Sequence, residues 1–280
     1  MYTFRFSLIL LFLFQIGKAV AQSPSNRLDV VQIEKYLQKL YQEYMEAINT
    51  DDRETEEKFL KNMLTPEMQE KRARLACATD SDPMIRAQDV TEYSIQSVRC
   101  KHLSGCWYEV SYRPYPKDST TYIPLRITAD SLGKVRISYV TPDWGNRNYG
   151  DYWFDIPEEK VMDDQDGKTF VETFYKSYAY TYIKMRPDLE QGLKRLREAY
   201  CTPIMQEKYV RSRKEVEQED PMFDPVIGND DFDVFWYNSL RVHPSETKGC
   251  FTVSYGCTKI RVALQCQDGK YKIADVELIP

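Results

Sequence analysis

Thr65-Pro66-Glu67-Met68-Gln69-Glu70-Lys71 and Thr202-Pro203-Ile204-Met205-Gln206-Glu207-Lys208 are one seven-residue phrase written twice, with Ile204 standing where the first copy has Glu67. The phrase has a local physical meaning. A Thr hydroxyl can accept from an otherwise unpaired N–H of a first helical turn, so Thr is a good N-cap. Pro suits the first helical position, where its missing N–H costs nothing. Each copy therefore predicts the start of a helix.

Further pairs keep the same order. Asp82-Pro83-Met84 is answered by Asp220-Pro221-Met222, and Ser97-Val98-Arg99 by Ser239-Leu240-Arg241. Gly105-Cys106-Trp107-Tyr108-Glu109-Val110-Ser111-Tyr112 is answered, one residue shorter, by Gly249-Cys250-Phe251-Thr252-Val253-Ser254-Tyr255, and Gly133-Lys134 by Gly269-Lys270. A period this long means a duplicated domain rather than a solenoid of short repeats. The expected division is a targeting segment over 1–21, a first repeat over 22–142, an aromatic and acidic linker over 143–164, and a second repeat over 165–280.

The opening residues read as a signal peptide. Arg5 gives a thin positive start, Ser7 to Ile16 is apolar but short for a membrane span, and Ala19-Val20-Ala21 fits a cleavage site before Gln22. The expected mature chain has 259 residues (280 less the first 21). Losing Arg5 and Lys18 takes the formal charge from −5 to −7. That acidity argues against a nucleic-acid partner. No later stretch is apolar enough to be transmembrane, so the expected location is periplasmic or secreted.

Apolar periodicity sets the elements. Ile33, Tyr36, Leu37, Leu40, Tyr41, Tyr44 and Ile48 recur at helical spacing over 28–48. Helices to Met63 and over 65–78 follow. Strands are predicted over 93–100, 106–112, 122–129 and 134–140, where period-two alternation and short turns mean an antiparallel sheet. In the second copy a capping box at Thr169 to Glu172 starts the first helix. Helices over 188–200 and 203–214 follow, then strands over 234–242, 250–255, 259–265 and 271–278. Helices followed by a strand meander make an α+β chain.

These features together carry a resemblance. Leu40-Tyr41-Gln42-Glu43-Tyr44 and Phe174-Tyr175-Lys176-Ser177-Tyr178, the Thr-Pro helix starts, and the Gly-Cys-x-Val-Ser-Tyr-like strands resemble a bacterial exported domain-of-unknown-function family. That family lies in the nuclear transport factor 2-like superfamily. The resemblance covers nearly all of the mature chain. It implies two tandem cones, each a curved four-stranded antiparallel sheet wrapped on helices around a pocket. It implies no particular chemistry, since such a fold serves enzymes, binders and scaffolds alike.

Catalytic signatures are missing from the sequence. No nucleophile elbow, phosphate-binding glycine loop or zinc-helix motif occurs. His102 and His243 are expected in equivalent exposed turns. With Cys100 and Cys106, His102 makes at most a partial metal set, and Val242 stands where the second copy would need a ligand. Cys106 with His102 lacks an orienting third group for nucleophilic catalysis. The acidic pairs Asp51-Asp52, Asp163-Asp164 and Asp230-Asp231 are read as solvated ends. Seven cysteines suggest disulfides in an exported chain, but only Cys106 and Cys250 match between copies. Most are expected to be free, with Cys100 and Cys106 the pair placed to bridge.

The aromatic residues are the better lead. Tyr41, Tyr44, Trp107 and Tyr122 in the first repeat, and Tyr178, Tyr182, Trp236 and Tyr255 in the second, are the candidate ligand-binding residues of the cones. No catalytic residue, metal or cofactor is expected. The expected function is an exported, non-enzymatic binding protein for a small molecule or a periplasmic protein. The alternatives are an immunity-type interaction protein and a pocket hydrolase or isomerase.

Overall fold

The computed structural model describes residues 29–130, 133–162, 165–216 and 219–279. The expected signal peptide and the Asp163-Asp164 pair lie outside the described residues. The first repeat runs α1 (Val30–Asn49), α2 (Arg53–Met63), α3 (Pro66–Thr79), α4 (Glu92–Ser97), then β1 (Arg99–Ser104), β2 (Trp107–Tyr112), β3 (Thr121–Ala129) and β4 (Val135–Val140). The second runs α5 (Gly167–Ile183), α6 (Leu189–Tyr200), α7 (Pro203–Val216), α8 (Val234–Tyr237), then β5 (Arg241–Pro244), β6 (Cys250–Tyr255), β7 (Thr258–Gln267) and β8 (Lys270–Leu278). Each set of strands is its own antiparallel meander, in the orders β1-β2-β3-β4 and β5-β6-β7-β8. The chain is α+β.

The duplicated phrase does the same work twice. Thr65 Oγ1 accepts from Met68 N at 3.3 Å, and Thr202 Oγ1 accepts from Met205 N at 3.2 Å. The two threonines also donate their own N–H to Ile137 and Ile273, at 3.0 and 2.9 Å. Each capped helix is thus tied to the last strand of its own sheet. Both sheets carry a bulge at the same place in their fourth strand, where the register skips Ser138 opposite Arg126–Ile127 and Ala274 opposite Ala263–Leu264. An extra residue on one strand bends it and sharpens its twist, which curves each sheet over its helices.

Four expectations need correction. The predicted first strands, 93–100 and 234–242, each begin as a short helix. Thr91 and Asp233 cap α4 and α8 with their side chains, and a capped turn holds the backbone N–H groups that a strand would have to pair elsewhere. His102 and His243 consequently lie in strands β1 and β5, opposite Tyr108 and Thr252, and not in turns. The start of α5 is capped by Asp166, which accepts from Lys168 and Thr169, so the Thr169 capping box is not used. Finally, the partner of Asp82-Pro83-Met84 is Asp224-Pro225-Val226. Asp82 bridges Ala87 and Asp224 bridges Asn229, and each loop turns through a positive φ, 54° at Arg86 and 62° at Gly228.

Two hydrophobic cores follow from this plan. One is built on Leu37, Tyr41, Tyr44 and Phe59 beneath β1–β4, the other on Phe174, Tyr175, Tyr178 and Tyr182 beneath β5–β8. The linker is not a free tether. It forms two 3-10 helices, Asp143–Gly145 and Asp151–Phe154. Trp144 stacks on Trp236 with ring centroids 4.4 Å apart, and Trp153 meets Phe235 at 5.0 Å. Linker aromatics therefore pack on the second repeat.

Candidate functional site: a charged seam and the cleft above it

A buried electrostatic contact joins the repeats. Lys71 of α3 is 1% exposed, and its Nζ sits 2.5 Å from Asp231 and 3.0 Å from Asp233. Arg74, one turn on, donates Nε to the other oxygen of Asp231 at 2.9 Å. Tyr139 of β4 donates its hydroxyl to Asp233 at 3.0 Å. Burial alone would lower the Lys71 pKa, but the two carboxylates outweigh it and hold the ammonium above its ordinary value. Burial pushes the Tyr139 hydroxyl well up, and Asp233 pushes it further, so the phenol stays a donor. Two cations and a phenol thus satisfy two carboxylates that no water reaches. Asp230-Asp231, expected to be a solvated pair, is buried in this seam.

A cleft of about 620 Å³ opens above Tyr139. The first repeat lines it with Thr65 and Glu67 at the start of α3 and with Arg126, Thr128 and Ser138 on the outer face of its sheet; the second lines it with Ile183, Lys184 and Met185 at the end of α5. Asp151, Phe154 and Asp155 of the linker complete the wall. Arg126 donates Nε to Asp151 at 2.7 Å and a second nitrogen to Ser138 at 3.3 Å. Trp107 Nε1 donates to the same Asp151 oxygen at 3.0 Å. Burial would raise the Asp151 pKa, but these two donors outweigh it and hold the carboxyl low. Lys184 donates Nζ to the carbonyl of Phe154 at 2.8 Å. Both cations of the cleft are therefore engaged. Glu67, half-buried, and Asp155, exposed, have no partner among the described residues. The C-terminal end of α5 adds partial negative charge to the same space.

The two cones are filled. Tyr44 stacks on Phe59 at 4.1 Å and donates its hydroxyl to Asp82, which also accepts from Arg72 and from Met84 N. Tyr178 and Tyr182 each donate to Asp224 at 2.8 Å, and Arg197 donates to Tyr178. Tyr255 donates to the Ile227 carbonyl, as Tyr112 does to Ile85. The Asp-Pro-x-Ile loop of each repeat thus plugs the centre of its own cone, with tyrosines as the surrounding donors.

The candidate residues fall accordingly. Tyr41, Tyr44, Tyr178, Tyr182 and Tyr255 are buried in the two cores. Tyr122 is half-buried beneath Arg147, whose guanidinium lies 3.6 Å from the ring centre. Trp236 is spent on Trp144. Trp107 alone bears on the cleft, from behind, through Asp151 and through Phe154. None of the eight lines the cleft. Of the residues that do, Glu67, Arg126 and Lys184 look like solvated charges in the sequence when read singly. The acidic run Asp230-Asp231-Phe232-Asp233 was the available signal for the seam, since Phe232 within it marks burial.

All seven cysteines are free thiols, Cys100 and Cys106 included. Cys100 lies opposite Val110, four residues along β2 from Cys106, so about 13 Å of strand separates them. Burial pushes the Cys100 thiol up to about 12. The His102 ring is held by the Gly105 carbonyl at 3.0 Å and lies against Tyr108. Among the described residues no group of three or more His, Cys, Asp or Glu is placed to hold a metal ion, and no helix is long and apolar enough to cross a membrane.

No family model matches this chain, and no curated protein matches it. A crystal structure from Bacteroides thetaiotaomicron, of a protein of unknown function, is 30% identical to it over 40% of this chain and 93% of its own length, with a TM-score of 0.37.

Proposed function

We propose that this chain is an exported, non-enzymatic binding protein whose ligand sits in the cleft between the two repeats, not inside the cones. One observation carries this reading. The cones are occupied by mutually bonded tyrosines and aspartates, whereas the inter-repeat cleft has ligand-sized volume and unspent charge. Small-molecule sites favour such junctions between domains. The signal-like opening of the sequence supports export.

The cleft chemistry favours an amine on an apolar body. Arg126 is ion-paired with Asp151 and Lys184 is hydrogen-bonded to the Phe154 carbonyl, while Glu67 and Asp155 are carboxylates without a partner among the described residues, and Phe154, Ile183 and Met185 offer apolar surface beside them. Catalysis has less support: Asp230, a buried carboxyl with a raised pKa, belongs to the seam rather than to the cleft lining. Thermal-shift titration with a panel of primary amines, amino acids and short peptides tests the reading. An amine that raises the melting temperature should bind Glu67→Gln about tenfold more weakly, roughly 1.4 kcal/mol. A panel without any stabilising amine, or a hit indifferent to Glu67, would count against it. The second reading, an interaction protein, is favoured by the filled cones and would be supported by concentration-dependent self-association together with an empty panel.

A further inference from the structure

The repeats join head to tail, and this has a consequence at the surfaces they leave over. Repeat one gives the seam a helix face, with Lys71 and Arg74 on α3. Repeat two gives it the segment Asp230 to Phe235. Each repeat is a copy of the other, so each carries both surfaces, and one of each is uncovered. The matched caps and bridges fix the correspondence: Thr65 with Thr202 and Ile137 with Ile273, then Asp82 and Ala87 with Asp224 and Asn229. Arg74 therefore corresponds to Arg211, Cys77 to Lys214, Asp231 to Asp89 and Phe235 to Tyr93.

Those counterparts are exposed and unspent. Arg211 on α7 and Asp89 before α4 are exposed, and neither has a partner among the described residues. They are the copies of the Arg74–Asp231 pair that closes the seam. On α7, Ile204 is 76% and Val210 51% exposed beside Arg211. Tyr93 is 37% exposed, although its counterpart Phe235 is packed against Trp153 and Gly145 in the seam. Charge is thus complementary across the two leftover faces, and each face also carries exposed apolar or aromatic surface.

We propose that the chain associates head to tail with a second copy of itself, α7 of one copy receiving the Asp89 to Tyr93 segment of the next. Arg211 pairs with Asp89 of the second copy, as Arg74 pairs with Asp231 inside the chain. The contact is weaker than the internal seam for a visible reason. Lys208, the copy of Lys71, is already held by Asp275, which stands where repeat one has Tyr139, and Thr91 stands where repeat two has Asp233. A heterologous contact of this kind closes into a ring or continues as an open chain. It is independent of the cleft and of what binds there.

Sedimentation velocity of the full mature chain, from about 1 μM to about 1 mM, tests it. The mass average should rise with concentration. Arg211→Glu and Asp89→Arg should each lower the association constant about tenfold or more, because each sets like charges face to face. The double variant R211E/D89R should restore it, which also controls for folding. A mass that stays monomeric throughout, self-association indifferent to both single reversals, or a double variant no better than the singles would overturn the proposal.

Discussion

Replacing Lys71 by Met is the most informative single perturbation of this fold. The methionine keeps most of the volume and removes the charge. Asp231 would retain Arg74, and Asp233 would retain the Tyr139 hydroxyl, but two carboxylates with essentially no solvent exposure would share one guanidinium. Removing one member of a buried ion pair costs about 3–5 kcal/mol, because the uncompensated charge stays buried. That is at least about a fifth of the roughly 5–15 kcal/mol by which domains are stable. Urea unfolding followed by tryptophan fluorescence is the assay, since urea, unlike guanidinium, leaves the ion pairs unscreened. Trp144, Trp153 and Trp236 lie at the junction of linker and second repeat, so they report its opening. The triple variant Lys71→Met, Asp231→Asn, Asp233→Asn should recover much of the loss, because no charge is then stranded. A Lys71→Met midpoint within about 1 kcal/mol of the unmodified protein would refute the reasoning, by placing water or a mobile side chain where the seam is dry.

Other expectations are more local. Thr65→Ala and Thr202→Ala should each cost about 1 kcal/mol in urea unfolding, through loss of a helix cap, and unchanged midpoints for both would remove the capping assignment. Asp230 carries a pH dependence. Burial first, then the hydrogen bond and charge of Asp220 and the charge of Asp231, push its carboxyl up to about 7, against an opposing pull from Arg213. The native state therefore keeps a proton that the unfolded chain loses near pH 4, and this group's contribution to stability falls as pH rises from about 4 to about 7. Asp230→Asn should flatten that slope and be more stable than the unmodified protein at pH 8; equal pH profiles for the two would contradict the assignment. Tyr178→Phe should cost about 1–3 kcal/mol in thermal unfolding, because Asp224 loses one donor and Arg197 an acceptor in a buried network.

The fold was legible where residues act locally or periodically. Two capped Thr-Pro helix starts, alternating strands and a long repeat were enough to place two α+β units, because caps and period-two faces are written within a few neighbouring residues. The short helices before β1 and β5 were not legible. Tyr93 to Cys100 and Val234 to Val242 have strand-like composition, and only the side-chain caps of Thr91 and Asp233 turn their first residues into helix. Pairing Asp82 with Asp220 rather than Asp224 hides the motif at the centre of both cones, Asp-Pro-x-Ile, which the tyrosines surround. The seam was illegible for a different reason. A Lys in a helix and two Asp in a loop, some 160 positions apart, each read as solvent-facing until the tertiary fold brings them together. Tyrosine is dense along the chain, but its density does not say whether a ring fills a cone or lines it.

The central question for this protein is where a ligand sits. Crystals of the mature chain soaked with the amine that most raises the melting temperature would decide it. The predicted result is density in the cleft, with the amine against Glu67 and the apolar body on Phe154 and Ile183. Density inside a cone, displacing Tyr44 from Asp82 or Tyr178 and Tyr182 from Asp224, would contradict the account and return the site to the tyrosines.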